Sequence, residues 1–188
     1  MKKGWTTTKL MAIGALAALY VILSAPGAVL AGITGNSMSA AIVNIVIIGI
    51  MYPLVALIIK RPGAVTLWAV IVGFLFIPFP LAGPPGFLLK VVYMGFWGIL
   101  ADLTYLVFKN SDKLTAIAIS IIQIGPGAPI AVLVFKLLGA SKLADQVAAF
   151  SGFVFVLAGA ILGAILGYMA YLLYKKVENS LVIKRIQT

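Results

Sequence analysis

Lys90, Tyr93 and Trp97 stand at i, i+3 and i+7 in an apolar run, so on a helix they share one face. A cation above an aromatic column can hold a planar ring by stacking and an anionic or carbonyl group by charge. The same spacing also suits a lysine snorkelling to the outer headgroups above ordinary packing aromatics. Other polar groups are scattered through apolar stretches: Asn44, Gln123 and Lys136, with Asn36 in a polar segment between two expected helices. Together these could line an outward-facing cavity, with Asn36 gating it and Gln123 at its floor. Singly, each amide could equally be interhelical glue. Asp102 is the one acidic residue inside an expected helix, twelve residues beyond Lys90. That separation is about 18 Å along the axis, so the two cannot pair directly. Asp102 therefore either orders a partner helix or takes part in coupling, or, lying within two turns of Lys109, makes a structural hydrogen bond or ion pair near the inner interface, since buried charges are normally paired.

What is absent narrows the chemistry. With no cysteine and no histidine, disulfides and Cys or His metal sites are excluded, and four acidic residues are few for an oxygen-rich cation site. No metal and no cofactor are expected. There is no G-x-x-x-x-G-K-[ST], G-x-S-x-G or H-E-x-x-H motif, and the commonest general base is missing. No catalytic residues are assigned and the chain does not read as an enzyme. Paired carboxylates for a proton or sodium relay are also lacking, which weakens a self-energised transporter.

The elements that must position these residues follow from composition. Hydrophobic residues make up 63% of the 188 and charged ones 10%, with a mean hydropathy of +1.19. That leaves too little polar surface to coat a soluble globule, so the chain reads as an all-α integral membrane protein. The net charge of +10 lies in juxtamembrane clusters rather than on one face with interleaved aromatics. Anionic lipid headgroups and topology explain it better than nucleic acid does.

The clusters are Lys2, Lys3 and Lys9, then Lys60 and Arg61, then Lys109 and Lys113, then Lys175, Lys176, Lys184 and Arg185. The gaps, roughly 45 to 60 residues, each hold two spans of about 20 residues. Lys and Arg in short loops stay cytoplasmic. The pattern predicts a single domain over 1–188 with six transmembrane helices, both termini cytoplasmic, in a prokaryotic cytoplasmic membrane. The apolar run from Leu10 to Ala31 is read as a retained first helix rather than a cleaved signal.

The expected helices are about Thr8–Leu30, interrupted near Pro26 and Gly27, then Ala40–Ile59, Ala64–Ile77, Phe87–Phe108, one starting near Leu114, and Val147–Tyr174. Lys60-Arg61-Pro62-Gly63 makes a tight inner turn, and Pro78, Pro80, Pro84 and Pro85 stiffen an outer segment. Gly125-Pro126-Gly127-Ala128-Pro129 breaks the fifth helix near mid-membrane or in the outer half, where irregular backbone must be packed or line a cavity. Gly159, Gly163 and Gly167 form a small-residue ladder, and the first helix carries Gly14, Ala15 and Ala18. Such faces let backbones approach closely, within this bundle or against another membrane protein.

The alanine-rich first helix after Thr6-Thr7-Thr8-Lys9-Leu10, the turn Lys60-Arg61-Pro62-Gly63-Ala64 and the run Gly98-Ile99-Leu100-Ala101-Asp102 resemble the substrate-binding S component of an energy-coupling factor transporter. The closest type is that assigned to thiamine or its hydroxymethylpyrimidine precursor. The resemblance implies a pocket at the outer side, lined by the fourth to sixth helices and closed by the loop after the first. It also implies a transmembrane coupling subunit and two ATPase subunits as partners, with Gly14, Ala15 and Ala18 the counterparts of the docking face. The expected function is capture of a small water-soluble vitamin-type nutrient, with Lys90, Tyr93, Trp97, Asn36 and Gln123 as its contacts. The alternatives are a structural subunit of a membrane complex, working through the glycine ladder, and a small solute channel.

Overall fold

Side-chain caps and glycines set the ends of several helices. The computed structural model describes residues 4–35 and 37–187; the gating assignment of Asn36 lies outside them. Helix α1 (Thr7–Thr34) starts where the extended Thr6 accepts a hydrogen bond from Lys9 N, and stops at Gly35 with φ of 64°. Pro26 lies inside it, so the interruption expected near Gly27 does not occur. Proline removes one backbone donor, a local loss that a packed helix tolerates. Gly27 instead admits α2 (Ser37–Ile59) to close range, since a Cβ there would lie 3.1 Å from the Asn44 amide and 3.2 Å from Ala40 O.

The chain continues through α3 (Ala64–Leu75), α4 (Leu89–Phe108), α5 (Asp112–Ile124), α6 (Gly127–Leu137), α7 (Ser141–Ala148), α8 (Phe153–Val177) and α9 (Leu181–Gln187). The Gly-Pro break falls where the sequence puts it, and α5 and α6 meet there at a bend of 56°. Two short helices, α7 and α9, add to the expected set, and α8 starts later than Val147 because α7 uses that residue. Among the described residues α1, α4 and α8 are long and apolar enough to cross a membrane, and the bent α5–α6 pair makes a fourth if it is one span.

Helix α3 begins at Gly63, φ 84°, which has no side chain to cap it. The cap comes from α4: Asp102 accepts from Thr66 N at 2.8 Å, Thr66 Oγ1 at 2.6 Å and Val65 N at 3.4 Å. At the other end of α3, the fully buried Lys90 donates to Phe76 O at 3.0 Å and to Phe79 O. A carboxylate thus meets the positive end of the α3 dipole and an ammonium the negative end, and orphan helix groups are satisfied at both. The twelve residues of α3 rise about 18 Å, the same as the climb along α4 from Lys90 to Asp102. Asp102 therefore makes a structural hydrogen bond, and through it orders its partner helix α3. The two helices touch at backbone level: a Cβ on Gly98 would lie 2.6 Å from Thr66 Cα, and one on Gly73 would lie 2.7 Å from Val91 Cα.

The glycine ladder of α8 is used inside the bundle as well. A Cβ on Gly159, Gly163 or Gly167 would lie 2.8, 2.7 or 2.6 Å from the α5 carbonyls of Ile124, Ser120 and Ala116. Ser120 Oγ in turn donates to Gly49 O of α2. By contrast Gly14 has open space around its Cβ position, and Ala15 and Ala18 are exposed on the same stretch of α1.

The start of α1, the α2–α3 and α4–α5 turns, the end of α8 and α9 gather at one end of the bundle. Lys60 pairs there with Asp112 at 2.8 Å and lies over the Tyr174 ring, 5.2 Å from its centroid. Partial burial pulls the Lys60 ammonium down, but bonding to Asp112 and Tyr174 outweighs it and holds the group above its ordinary value. Arg61 stacks over Trp5 at 4.5 Å. Gln187 Nε2 of α9 donates to Leu57 O and Ile58 O, the closing carbonyls of α2.

These contacts separate two glycines of identical type. Gly163→Ala is expected to destabilise the protein in detergent by about 2 kcal/mol or more, because two backbones must part. Gly14→Ala is expected to leave the melting temperature unchanged or to raise it by up to about 1 kcal/mol of helix propensity. Equal effects in thermal unfolding would contradict the internal use of the ladder.

Candidate functional site

A cavity of about 440 Å³ opens in the half of the bundle away from the basic end, among α1, α2, α4, the α5–α6 break, α7 and α8. That size lies within the range of small-molecule sites. It exists because the break diverts α6 from the line of α5, so the wall that a straight helix would supply is replaced by Gly125, Gly127, Ala128 and Ala131. The roof is made by Leu81, Ala82 and Gly83 of the proline segment and by Leu143, Gln146 and Val147 of α7. A larger groove of about 760 Å³ lies on the outer side of that roof and shares Gly83, Leu143 and Gln146 with it. The roof backbone takes a left-handed conformation at Ala82 and Gly83, φ 54° and 125°, which for alanine is strained.

The lining is apolar and carries few polar groups, and no charged side chain is among the described residues that form it. Tyr93 of α4 stacks on Phe135 of α6, centroids 4.7 Å apart and planes 16° apart. Gln123, in the last turn of α5, donates from Nε2 to Trp97 O of α4 at 3.1 Å. Tyr20 of α1, Asn44 of α2 and Gln146 of α7 complete the polar set, and Tyr20 is held edge-on by Trp68 at 5.1 Å.

Of the residues singled out by type and spacing, Tyr93, Gln123 and Asn44 meet at this cavity. Lys90 and Trp97 do not line it. The Lys90 ammonium is fully buried on the α3 carbonyls, where it secures the segment that roofs the cavity. It neither snorkels nor faces the cavity, because it donates to the carbonyls of Phe76 and Phe79, just past the end of α3 at Leu75. Trp97 sits one layer behind Tyr93, edge-on at 6.2 Å, and only its backbone carbonyl takes part, through Gln123. Lys136, exposed near the end of α6, is also outside the lining. Gly14, Ala15 and Ala18 are on the far, outward face of α1.

Spacing alone did not single out Tyr20 or Phe135. Tyr20 had a signal: Ile13, Ala17, Tyr20, Ser24, Gly27 and Ala31 belong to the buried stripe of α1, and a tyrosine within a stripe of small residues has room beside it. Phe135 had none, since its stacking on Tyr93 depends on the bend.

Lys90→Met keeps most of the stem and removes the ammonium, taking from the Phe79 carbonyl its side-chain partner and leaving the Phe76 carbonyl with the Phe79 N–H alone. It is expected to lower the stability of the ligand-free protein by about 1–3 kcal/mol in thermal unfolding; an unchanged midpoint would contradict the structural role. Compared with known proteins, the chain matches no protein-family model, no curated protein and no solved structure.

Proposed function

We propose that this chain is the substrate-capture subunit of an ATP-driven vitamin-type uptake transporter in a prokaryotic cytoplasmic membrane. The observation that carries this reading is the uncharged cavity of about 440 Å³ beside the Tyr93–Phe135 stack. A sheltered aromatic platform with three side-chain amides, Asn44, Gln123 and Gln146, suits a small planar nutrient better than an ion or a peptide. In this reading the spans number six: α1, α2, α3 with the hydrogen-bonded turns through Phe79, α4, the broken α5–α6 pair, and α8. Both termini are cytoplasmic, because the basic end then obeys the positive-inside rule and binds anionic lipid headgroups. The cavity and its roof accordingly open outward.

The missing charge in the lining also bears on the substrate. Thiamine has a fixed positive charge, and desolvating it without an anionic partner is costly. The neutral pyrimidine precursor has no such cost, and is the better fit of the two. Energy comes from partners: a transmembrane coupling subunit docked against the open face at Gly14, Ala15 and Ala18, and two ATPase subunits. The alternative as a structural subunit loses support, since the ladder that would have been its working surface is covered by α5.

Mass spectrometry of the protein purified alone in mild detergent tests this reading. A small heterocyclic molecule is expected to co-purify. A saturating neutral pyrimidine at about a hundred times its Kd is expected to add roughly 2.7 kcal/mol to stability. A ligand-free preparation that no vitamin-type compound stabilises would contradict it.

A further inference from the structure

Asn44 is a buried polar group in the cavity wall that the fold leaves unfinished. It is 6% exposed, and its Oδ1 has no hydrogen-bond partner among the described residues. The amide lies flat against Gly27 of α1, where a Cβ would stand 3.1 Å from both Oδ1 and Nδ2. Only glycine at 27 leaves the amide undisturbed there. An interhelical amide used as glue would commit its oxygen to the neighbouring helix; this one reaches no donor on α1. Gln123, on the same cavity, is half engaged: its Nε2 is bonded to Trp97 O, and no bond occupies its Oε1 among the described residues. Both amide groups therefore have oxygen to offer and no hydrogen to receive. An orphaned buried acceptor is destabilising, and such groups persist where a ligand completes them.

We infer that Asn44 is a specificity-determining residue, and that the cavity selects an uncharged heteroaromatic ligand bearing an N–H or O–H donor that bonds to Asn44 Oδ1. The inference rests on the capture reading above and adds the feature that discriminates between ligands. The donor satisfies the orphaned oxygen in a site with little competing water, so a ring of the same shape without it leaves Oδ1 unmet. Gln123 Oε1 is the second acceptor for a ligand with two donors, and Tyr93 is the stacking surface. Gly27 is a positioning residue, because it sets where the Asn44 amide lies.

The test pairs Asn44→Leu with wild type, using 4-amino-2,5-dimethylpyrimidine and 2,5-dimethylpyrimidine, which has no N–H or O–H donor, as probes. In the ligand-free state Asn44→Leu is expected to melt at or above the wild-type temperature, since an orphaned acceptor has been removed; interhelical glue would give a lower midpoint. Wild type is expected to bind the amino compound at least about tenfold more tightly than the analogue, the worth of one hydrogen bond. Asn44→Leu should bind the two alike. Gly27→Ala, which presses on the amide without deleting it, should weaken the amino compound selectively. A lower ligand-free midpoint with undiminished selectivity in Asn44→Leu would overturn the inference and leave the capture reading standing. Failure of wild type to bind either probe, or any other vitamin-type compound, would remove both.

Discussion

The arrangement rests on two charges of α4 set one at each end of α3. Asp102 caps the first turn of α3 through Val65 and Thr66, and Lys90 takes the carbonyls of Phe76 and Phe79 beyond its last turn. Placed singly in an apolar bundle, either charge would be costly. Matched to opposite ends of one helix dipole, and spaced by the length of that helix, they become the means by which two apolar helices hold register. Greasy surfaces alone cannot fix register in a membrane, where lipid is as apolar as leucine. With α4 fixed, the direction of Tyr93, the position of Trp97 O and the path of the roof are fixed too.

A second constraint shapes the opposite wall. The glycines of α8 bring its backbone onto α5 so closely that α5 cannot shift, and just past that contact the chain bends by 56°. Rigid packing up to Ile124 followed by divergence from Gly127 onward makes an enclosed space rather than a collapsed one. Helix α7 and the Ala82–Gly83 turn close it from above. The cavity is thus a product of a tight contact and a break placed next to each other, with the polar amides at their junction with α2 and α4.

Much of this was legible in the residues. The spacing of Lys60, Arg61, Lys109, Lys113 and Lys175 marks turns and helix ends that do collect at one end of the bundle, because charge cannot sit mid-span without a partner. The break at Gly125–Pro129 was readable because proline and glycine act locally. Lys90 was located correctly but its target was not. The carbonyls it serves are 11 and 14 residues away across a proline-rich turn, and nothing local announces that α3 stops at Leu75. Helices α7 and α9 were hidden for a related reason: they are short, and their form depends on a surface already built. The expectation of a charged ligand contact rested on Lys90, which the Phe76 and Phe79 carbonyls occupy, and the cavity has an uncharged lining of aromatic and amide side chains.

Calorimetric titration of the purified wild-type protein with a neutral aminopyrimidine and, separately, with thiamine weighs the central claim most directly. That claim is an uncharged cavity that admits an uncharged ring. Saturable heat is expected from the neutral compound, with a Kd for thiamine weaker by at least about a hundredfold, the penalty for burying an unpartnered charge. Tighter binding of thiamine than of the neutral compound would contradict it.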